Sequence, residues 1–248
     1  MKPYKPQRIY IEKDALRYPH TRKILSRLPG VPVVEIENSH TPSPSPLSLL
    51  GGEDKGEGDS VQKYLRKKPD PIGEGKRYLL LRRDKGRSFK PFPESEQYLS
   101  CDYYTLHLAE GCDLECSYCI LQAYLTNPLL TVYANVEEIL ENLKTVLDQN
   151  PDRFFRIGTG QLADSLSLDH LTGFSEILVP FFAGRPNAVL ELKTKSTQIE
   201  RLLGLDPCGR TIVSWSLNSK KIQKEEEHKC ASIDERLDAR TGGPPARS

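Results

Sequence analysis

Gly111-Cys112-Asp113-Leu114-Glu115-Cys116-Ser117-Tyr118-Cys119 places three cysteines within eight residues. Three residues separate the first pair and two the second. Just upstream, Tyr103, Tyr104, Leu106 and Leu108 suit a buried strand within 98–108. The cysteines therefore fall on a loop leaving the C-terminal end of a strand. Downstream comes the clearest helix of the chain. Asn135 is a suitable N-cap, and Val136, Ile139, Leu140, Leu143, Val146 and Leu147 recur on one helical face before Pro151. The pattern then alternates. It predicts strands at 154–158, 189–194 and 211–217, helices at 171–181 and 197–203, and the start of a helix at 233–239. Such alternation with short connections implies an α/β fold, a parallel sheet with helical crossovers. Functional groups then belong at the C-terminal strand ends, where the cysteine loop sits.

Upstream, residues 8–12 read as a strand, 15–28 as a helix ending near Pro29-Gly30, and 31–36 as a second strand. Composition then changes sharply. Thr41-Pro42-Ser43-Pro44-Ser45-Pro46 leads into a Gly/Glu/Asp-rich stretch reaching Ser60. Such a segment buries too little apolar surface to offset its ordering entropy, so 40–74 is expected to be a disordered insertion. Order returns at Tyr78-Leu79-Leu80-Leu81. At the other end, the helix beginning near Ser232 breaks into Arg240-Thr241-Gly242-Gly243-Pro244-Pro245, an aberrant tail over 240–248.

The chain of 248 residues is long enough for a real hydrophobic core. Its formal charge of +1 argues neither for nor against a nucleic-acid partner. No apolar run approaches the length of a membrane span, and the first residues lack the apolar core of a signal peptide. A cytoplasmic protein without membrane contact is expected. Three of the six cysteines are crowded into the loop; Cys101, Cys208 and Cys230 match no motif and read as plain thiols. Clustering of this kind points to metal or redox chemistry rather than to a secreted disulfide framework.

Thiolates hold iron–sulfur clusters. Three cysteines on one loop can hold three of the four irons of a [4Fe–4S] cube and leave the fourth open to a substrate or cofactor, as an open position does in catalytic zinc sites. Zinc is the plainer alternative; it wants four protein ligands, and His107 is the best fourth candidate. Buried structural thiols are the other.

The Cys-x3-Cys-x2-Cys spacing resembles that of radical S-adenosylmethionine enzymes, with Tyr118 before the third cysteine in keeping. Further stretches resemble the spore photoproduct lyase family within that superfamily: Pro6-Gln7-Arg8-Ile9-Tyr10-Ile11-Glu12 with Ala15-Leu16 and Tyr18-Pro19; Leu121-Gln122; and Tyr133-Ala134-Asn135-Val136-Glu137-Glu138-Ile139-Leu140. Asp169-His170-Leu171-Thr172, Thr194-Lys195 and Ser216-Leu217-Asn218 follow in order. The resemblance implies an incomplete β/α barrel over 75–239, with 1–39 a small N-terminal α/β extension. It implies a cluster on Cys112, Cys116 and Cys119 and S-adenosylmethionine bound near Lys195, Ser216 and Asn218. Cleavage of that cofactor to a 5′-deoxyadenosyl radical, a reductant such as flavodoxin or ferredoxin, and DNA repair are implied with it. Tyr118 is the one candidate for a catalytic side chain; His170 reads as structural, capping with Asp169.

Two departures bear on the substrate. The family's hydrogen-donating cysteine belongs on the strand after the first helix, and no cysteine lies between Cys119 and Cys208. The family's second tyrosine, just after the third cluster cysteine, is Ile120 here. A relative using the same radical on another substrate is therefore expected. Family members also run on for roughly another third of a domain, so a chain truncated near Ala239 is a further expectation, with a degenerate, non-catalytic cluster-binding relative as the rival. The basic residues Arg66, Lys67, Lys68, Arg77, Arg82, Arg83, Lys85, Arg87 and Lys90 are candidates for phosphate contacts with DNA.

Overall fold

Period-two alternation builds the first sheet. In β1 (Arg8–Glu12), Ile9 and Ile11 enter the main core, whereas Tyr10 joins a second apolar cluster. A single turn of 3-10 helix follows at Lys13–Ala15, and α1 (Pro19–Ser26) starts with proline in its first turn. The helix expected over 15–28 is thus shorter, because Pro19 fixes where it begins. Next, β2 (Val33–Ile36) pairs parallel to β1. The computed structural model describes residues 2–38, 57–86, 88–92 and 102–242.

The expectation of disorder over 40–74 needs correction in its second half; residues 39–56 lie outside the described residues. α2 (Glu57–Arg66) and α3 (Pro71–Gly75) are formed, and Asp70 caps α3 by accepting from the Gly73 amide at 2.9 Å. Leu65 is 1% exposed and packs with Tyr10, Ile36, Leu80 and Leu129. The stretch is polar in composition, yet Val61 and Leu65 fall one helical turn apart and cover the sheet face that Tyr10 presents.

β3 (Tyr78–Arg82) pairs parallel to β1 and repeats its alternation, with Leu79 and Leu81 in the main core and Leu80 in the second cluster. The hairpin partners β4 (Phe89–Pro91) and β5 (Tyr103–Leu106) follow, then β6 (Ala109–Glu110), β7 (Glu115–Cys116) and α4 (Leu121–Tyr124). β8 (Leu130–Tyr133) returns beside β3 and leads into α5 (Val136–Gln149). Asn135 occupies the N-cap position of α5 but its side chain does not cap it. It clips the backbone of Asp84 instead, accepting from its N–H at 2.7 Å and donating to its C=O at 3.0 Å.

β9 (Phe155–Gly158) precedes α6 (Asp169–Thr172) and α7 (Phe174–Ala183). The single helix expected over 171–181 is split at Gly173, whose φ of +64° ends one helix and starts the next. β10 (Ala188–Thr194) is followed by turns rather than the helix expected at 197–203. β11 (Thr211–Trp215), α8 (Lys220–Glu226), β12 (Glu227–His228) and α9 (Ile233–Arg240) complete the order. A capping box between Ser232 and Glu235 starts α9, which runs one residue past the expected break before Gly242 at φ +70°. Residues 243–248 of the tail lie outside the described residues, as does Cys101.

Among the described residues two five-stranded sheets result, in the orders β2-β1-β3-β8-β6 and β11-β10-β9-β5-β4. In the second, β11, β10, β9 and β5 run parallel, and antiparallel β4 closes one edge. This is the parallel α/β arrangement expected of an incomplete barrel; among the described residues neither sheet closes on itself. The N-terminal residues are continuous with the rest, since β1 lies between β2 and β3 in one sheet and Ile9, Leu81, Leu106, Ile157 and Leu190 share one core. Among the described residues, no helix is long and apolar enough to cross a membrane.

Candidate metal centre and cofactor site

The chain leaves β5 through Leu106-His107-Leu108 and β6, then enters the cysteine loop through Gly111. Gly111 has φ +84°, and a Cβ there would lie 3.3 Å from Leu130 Cδ1, so glycine admits a turn that a side chain would strain. Its amide donates to the Leu162 carbonyl at 2.9 Å, tying the loop to the segment after β9. Cys112 and Cys119 line one pocket together with Gly111, Lys76, Gln122 and Leu130. Cys116 is buried at the end of β7, and its carbonyl accepts from the Cys119 amide at 3.1 Å and from Gln122 Nε2 at 2.7 Å. The three cysteines thus share one short loop, with Cys116 and Cys119 joined by a turn.

β7 does not stand alone. It pairs antiparallel with β12, Cys116 opposite Glu227 and Glu115 opposite His228. Glu227 of that ribbon centres a polar network. One carboxylate oxygen accepts from Tyr118 Oη and from Asn218 Nδ2, the latter at 2.7 Å; the other accepts from Arg236 Nη2 at 2.5 Å. Burial works to raise the Glu227 carboxyl, but the hydrogen bonds from Tyr118, Arg236 and Asn218 hold it below the usual carboxylate range. Burial and the Glu227 contact push the Tyr118 phenol up. Arg236 also donates to the carbonyls of Ala231 at 2.9 Å and Ser216 at 2.7 Å.

Strand ends supply the remaining groups. Lys195 follows β10, its amide held by Asp164 Oδ2 at 2.7 Å and its ammonium 5.8 Å from the Tyr118 ring centroid. Asp164 Oδ1 also accepts from Thr194 Oγ1 at 2.6 Å and from the amides of Leu166 and Ser167. Ser216 follows β11, its amide bonded to the Thr194 carbonyl at 2.9 Å. Tyr118, Lys195 and Asn218 are therefore brought together beside the cysteine loop, and Ser216 is linked to them through Arg236.

Sequence reasoning missed Asp164, Glu227, Arg236 and Cys230. Glu227 lies in the run Lys220–Lys229, whose dense charge reads as a solvated face. Cys230 Sγ lies 3.5 Å from Cys116 Sγ, a contact between residues 114 apart that no spacing announces. That contact divides the pair: it lowers the Cys116 thiol and raises the Cys230 thiol. Burial pushes the Cys112 thiol up and raises the Asp113 carboxyl to about 6. His107 is buried with Nε2 2.7 Å from Gln161 Oε1. His170 ties the carbonyls of Ser167 and Tyr4, and Asp169 caps α7 through the Ser175 amide and hydroxyl. Of the basic residues, Arg82 is buried and paired with Glu12, Arg83 pairs with Glu138 and Arg77 with Glu74. Arg87 lies outside the described residues.

The donor set fits an iron–sulfur cluster. It consists of soft sulfur ligands on one loop, two of them lining a common pocket. Among the described residues, no group of three or more His, Cys, Asp or Glu side chains is gathered into a ready-made site for a single ion.

Known proteins resemble this chain along most of its length. The family model for spore photoproduct lyase matches residues 4–243. Spore photoproduct lyase of Geobacillus sp. (strain Y412MC61) is 27% identical over 240 residues, covering 96% of this chain and 64% of that protein. The enzyme of the same name from Bacillus subtilis (strain 168) is 27% identical over 238 residues, covering 96% and 63%. A solved structure of a spore photoproduct lyase mutant with bound AdoMet and dinucleoside spore photoproduct matches at TM-score 0.76 and 24% identity, covering 96% of this chain and 64% of that one. The chain thus spans 63–64% of the length of these relatives. The family match runs through the N-terminal strands, the cysteine loop, the parallel strands and α9, and this chain belongs to the spore photoproduct lyase family.

Proposed function

We propose that this chain is a radical S-adenosylmethionine enzyme that binds a [4Fe–4S] cluster through Cys112, Cys116 and Cys119. The observation that carries the proposal is the three-cysteine loop set beside Tyr118, Lys195 and Asn218 at the C-terminal strand ends. When bound, a cluster with one iron free of protein ligands supplies an electron for reductive cleavage of S-adenosylmethionine, yielding a 5′-deoxyadenosyl radical that abstracts hydrogen from substrate.

This chain's residues prepare the surroundings. Glu227 and Asn218 hold the Tyr118 phenol, which stays protonated because both burial and the carboxylate oppose its ionisation. Asp164 fixes the backbone at Lys195, so the ammonium is presented from a rigid strand end as a partner for the carboxylate of the cofactor. Ser216 and Asn218 offer polar groups at the end of β11.

For the substrate, we propose a nucleic acid or nucleotide, in keeping with the dinucleoside photoproduct bound by the similar structure. A substrate other than the spore photoproduct is favoured by Ile120, which is 73% exposed at the start of α4, and by the lack of cysteine from 120 to 207. Flavodoxin or ferredoxin is the proposed reductant.

Anaerobic reconstitution with iron and sulfide tests the reading. Electron paramagnetic resonance of the reduced protein should show a four-iron signal that changes when S-adenosylmethionine is added. A cluster signal indifferent to the cofactor would instead favour the non-catalytic cluster-binding reading. Failure to take up iron and sulfide with all thiols reduced would overturn both.

A further inference from the structure

Cys230 sits where the cysteine loop is most tightly constrained. The β7–β12 ribbon sets Glu227 opposite Cys116, and the Ser117 amide donates to the Glu226 carbonyl at 2.9 Å. Lys229 then adopts φ +58° and turns the chain back, while its ammonium pairs with Glu115 across the ribbon. A positive φ on a lysine costs free energy, so the surrounding contacts hold it there. On the far side of the turn, the Ala231 amide donates to the Lys195 carbonyl at 3.1 Å. Cys230 is thus anchored on both flanks, and its sulfur rests 3.5 Å from Cys116 Sγ. A disulfide needs about 2.05 Å between sulfurs. The two sulfurs would approach by about 1.5 Å to form that bond.

One sulfur cannot serve both partners. A Cys116 bonded to Cys230 is withdrawn from iron, and an iron-bound Cys116 is withdrawn from Cys230. We infer that Cys116 and Cys230 form a reversible disulfide in the cluster-free chain, and that this bond withholds Cys116 from the cluster until a thiol reduces it. The oxidant is a small disulfide such as oxidised glutathione. Two thiols and one disulfide become one protein disulfide and two small thiols, so the two electrons and two protons leaving the protein appear on the released glutathione. The bond within the small disulfide breaks as the Cys116–Cys230 bond forms. The pair would be a redox gate on cluster assembly; that consequence rests on the cluster reading above, whereas the disulfide itself does not.

The test uses the full chain, freed of iron and equilibrated anaerobically with defined mixtures of reduced and oxidised glutathione. Alkylation, digestion and mass spectrometry then identify which cysteine is joined to Cys116. The expected result is a peptide linking Cys116 to Cys230, lost in both Cys230→Ser and Cys230→Ala. Oxidised wild-type protein should lose iron and sulfide uptake and regain it after dithiothreitol, while each folded variant loads equally before and after. Linkage of Cys116 mainly to Cys112 or Cys119, or persistence of both thiols in the oxidising mixture, would overturn the inference. So would full loading of the linked protein. Should the fully reduced wild type and variants all fail to take up iron, the cluster reading falls, and the peptide map still decides the disulfide.

Discussion

Arg236 and Glu227 meet with both side chains wholly excluded from solvent, Nη2 and Oε2 2.5 Å apart. Arg236 reaches them from α9, and Glu227 sits on the ribbon partner of the cysteine loop. The pair tolerates burial because its remaining hydrogen-bonding capacity is met by the Ala231 and Ser216 carbonyls, Tyr118 and Asn218. A short sequence distance thus joins the last described helix to the residues around the cysteines.

Removing only the arginine should therefore be costly. Arg236→Met leaves Glu227 buried and uncompensated, and should lower unfolding free energy by about 3–5 kcal/mol. Adding Glu227→Leu should restore most of that, because a buried pair replaced by apolar groups is often nearly neutral. The double variant should still lose order in the loop, since Tyr118 and Asn218 lose their acceptor. Urea denaturation and amide exchange at residues 115–118 check this. Equal stability of single and double variants would show that the pair is not coupled as described.

Leu65 offers a separate check on the helix found where disorder was expected. It is 1% exposed against Tyr10, Ile36, Leu80 and Leu129. Leu65→Ala should cost about 2–4 kcal/mol, the range for truncating a buried leucine. The exposed neighbour Tyr64, changed to alanine, should cost well under 1 kcal/mol. A silent Leu65→Ala in thermal or urea unfolding would return the segment to the disordered reading.

Two buried histidines set an acid limit. Burial lowers His20 to about 4, helped by Lys23 and Arg27, and burial lowers His107 to about 4 despite its bond to Gln161. Their unfolded value is about 6.5. Above that pH both states are neutral and the fold keeps its full stability. As pH falls from about 6.5, the unfolded chain binds protons that the fold refuses, so stability declines until about 4. The loss is at most roughly 3 kcal/mol per histidine. Among the described residues His20 Nε2 has no hydrogen-bond partner, and its ring stacks on Phe174 at 5.2 Å, so His20→Phe removes titration while keeping the stack. Unfolding free energies should fall less steeply as pH drops from 7 to 4 in that variant than in the wild type.

How much was legible in the sequence follows from the range of the interactions concerned. Ile9, Ile11, Leu79 and Leu81 announce their strands by local alternation, and Val136 to Leu147 announce α5 by local helical spacing. The cysteine motif is likewise local. Asn135 looks like a cap from its neighbours alone, yet its side chain serves a backbone 51 residues upstream. Leu65 lies among Gly, Glu and Lys, and only the sheet face beneath it makes a helix worthwhile. Glu227, Arg236 and Cys230 are invisible for the same reason: their partners are Tyr118, Ser216 and Cys116, brought near by a two-residue ribbon that carries no pattern of its own.

The proposed cofactor pocket makes a prediction that separates binding from metal loading. Lys195 acts on Cys116 only through its charge, with no hydrogen bond to any of the three cysteines among the described residues; its backbone is held by Asp164 and its ammonium lies 5.8 Å from the Tyr118 ring. Lys195→Met should therefore leave iron and sulfide content unchanged. It should weaken S-adenosylmethionine binding by about 10–100-fold, the worth of one charge-assisted contact of about 1.5–3 kcal/mol. Asn218→Ala removes donors to both Tyr118 and Glu227, so it should weaken the cofactor less directly, by loosening the phenol, and Asn218→Ser should recover part of the loss. Equilibrium dialysis under anaerobic conditions, with iron analysis on the same samples, distinguishes these effects. Unchanged affinity in Lys195→Met would remove that residue from the pocket, and a parallel drop in iron would mean that the strand end supports the cysteine loop rather than the cofactor.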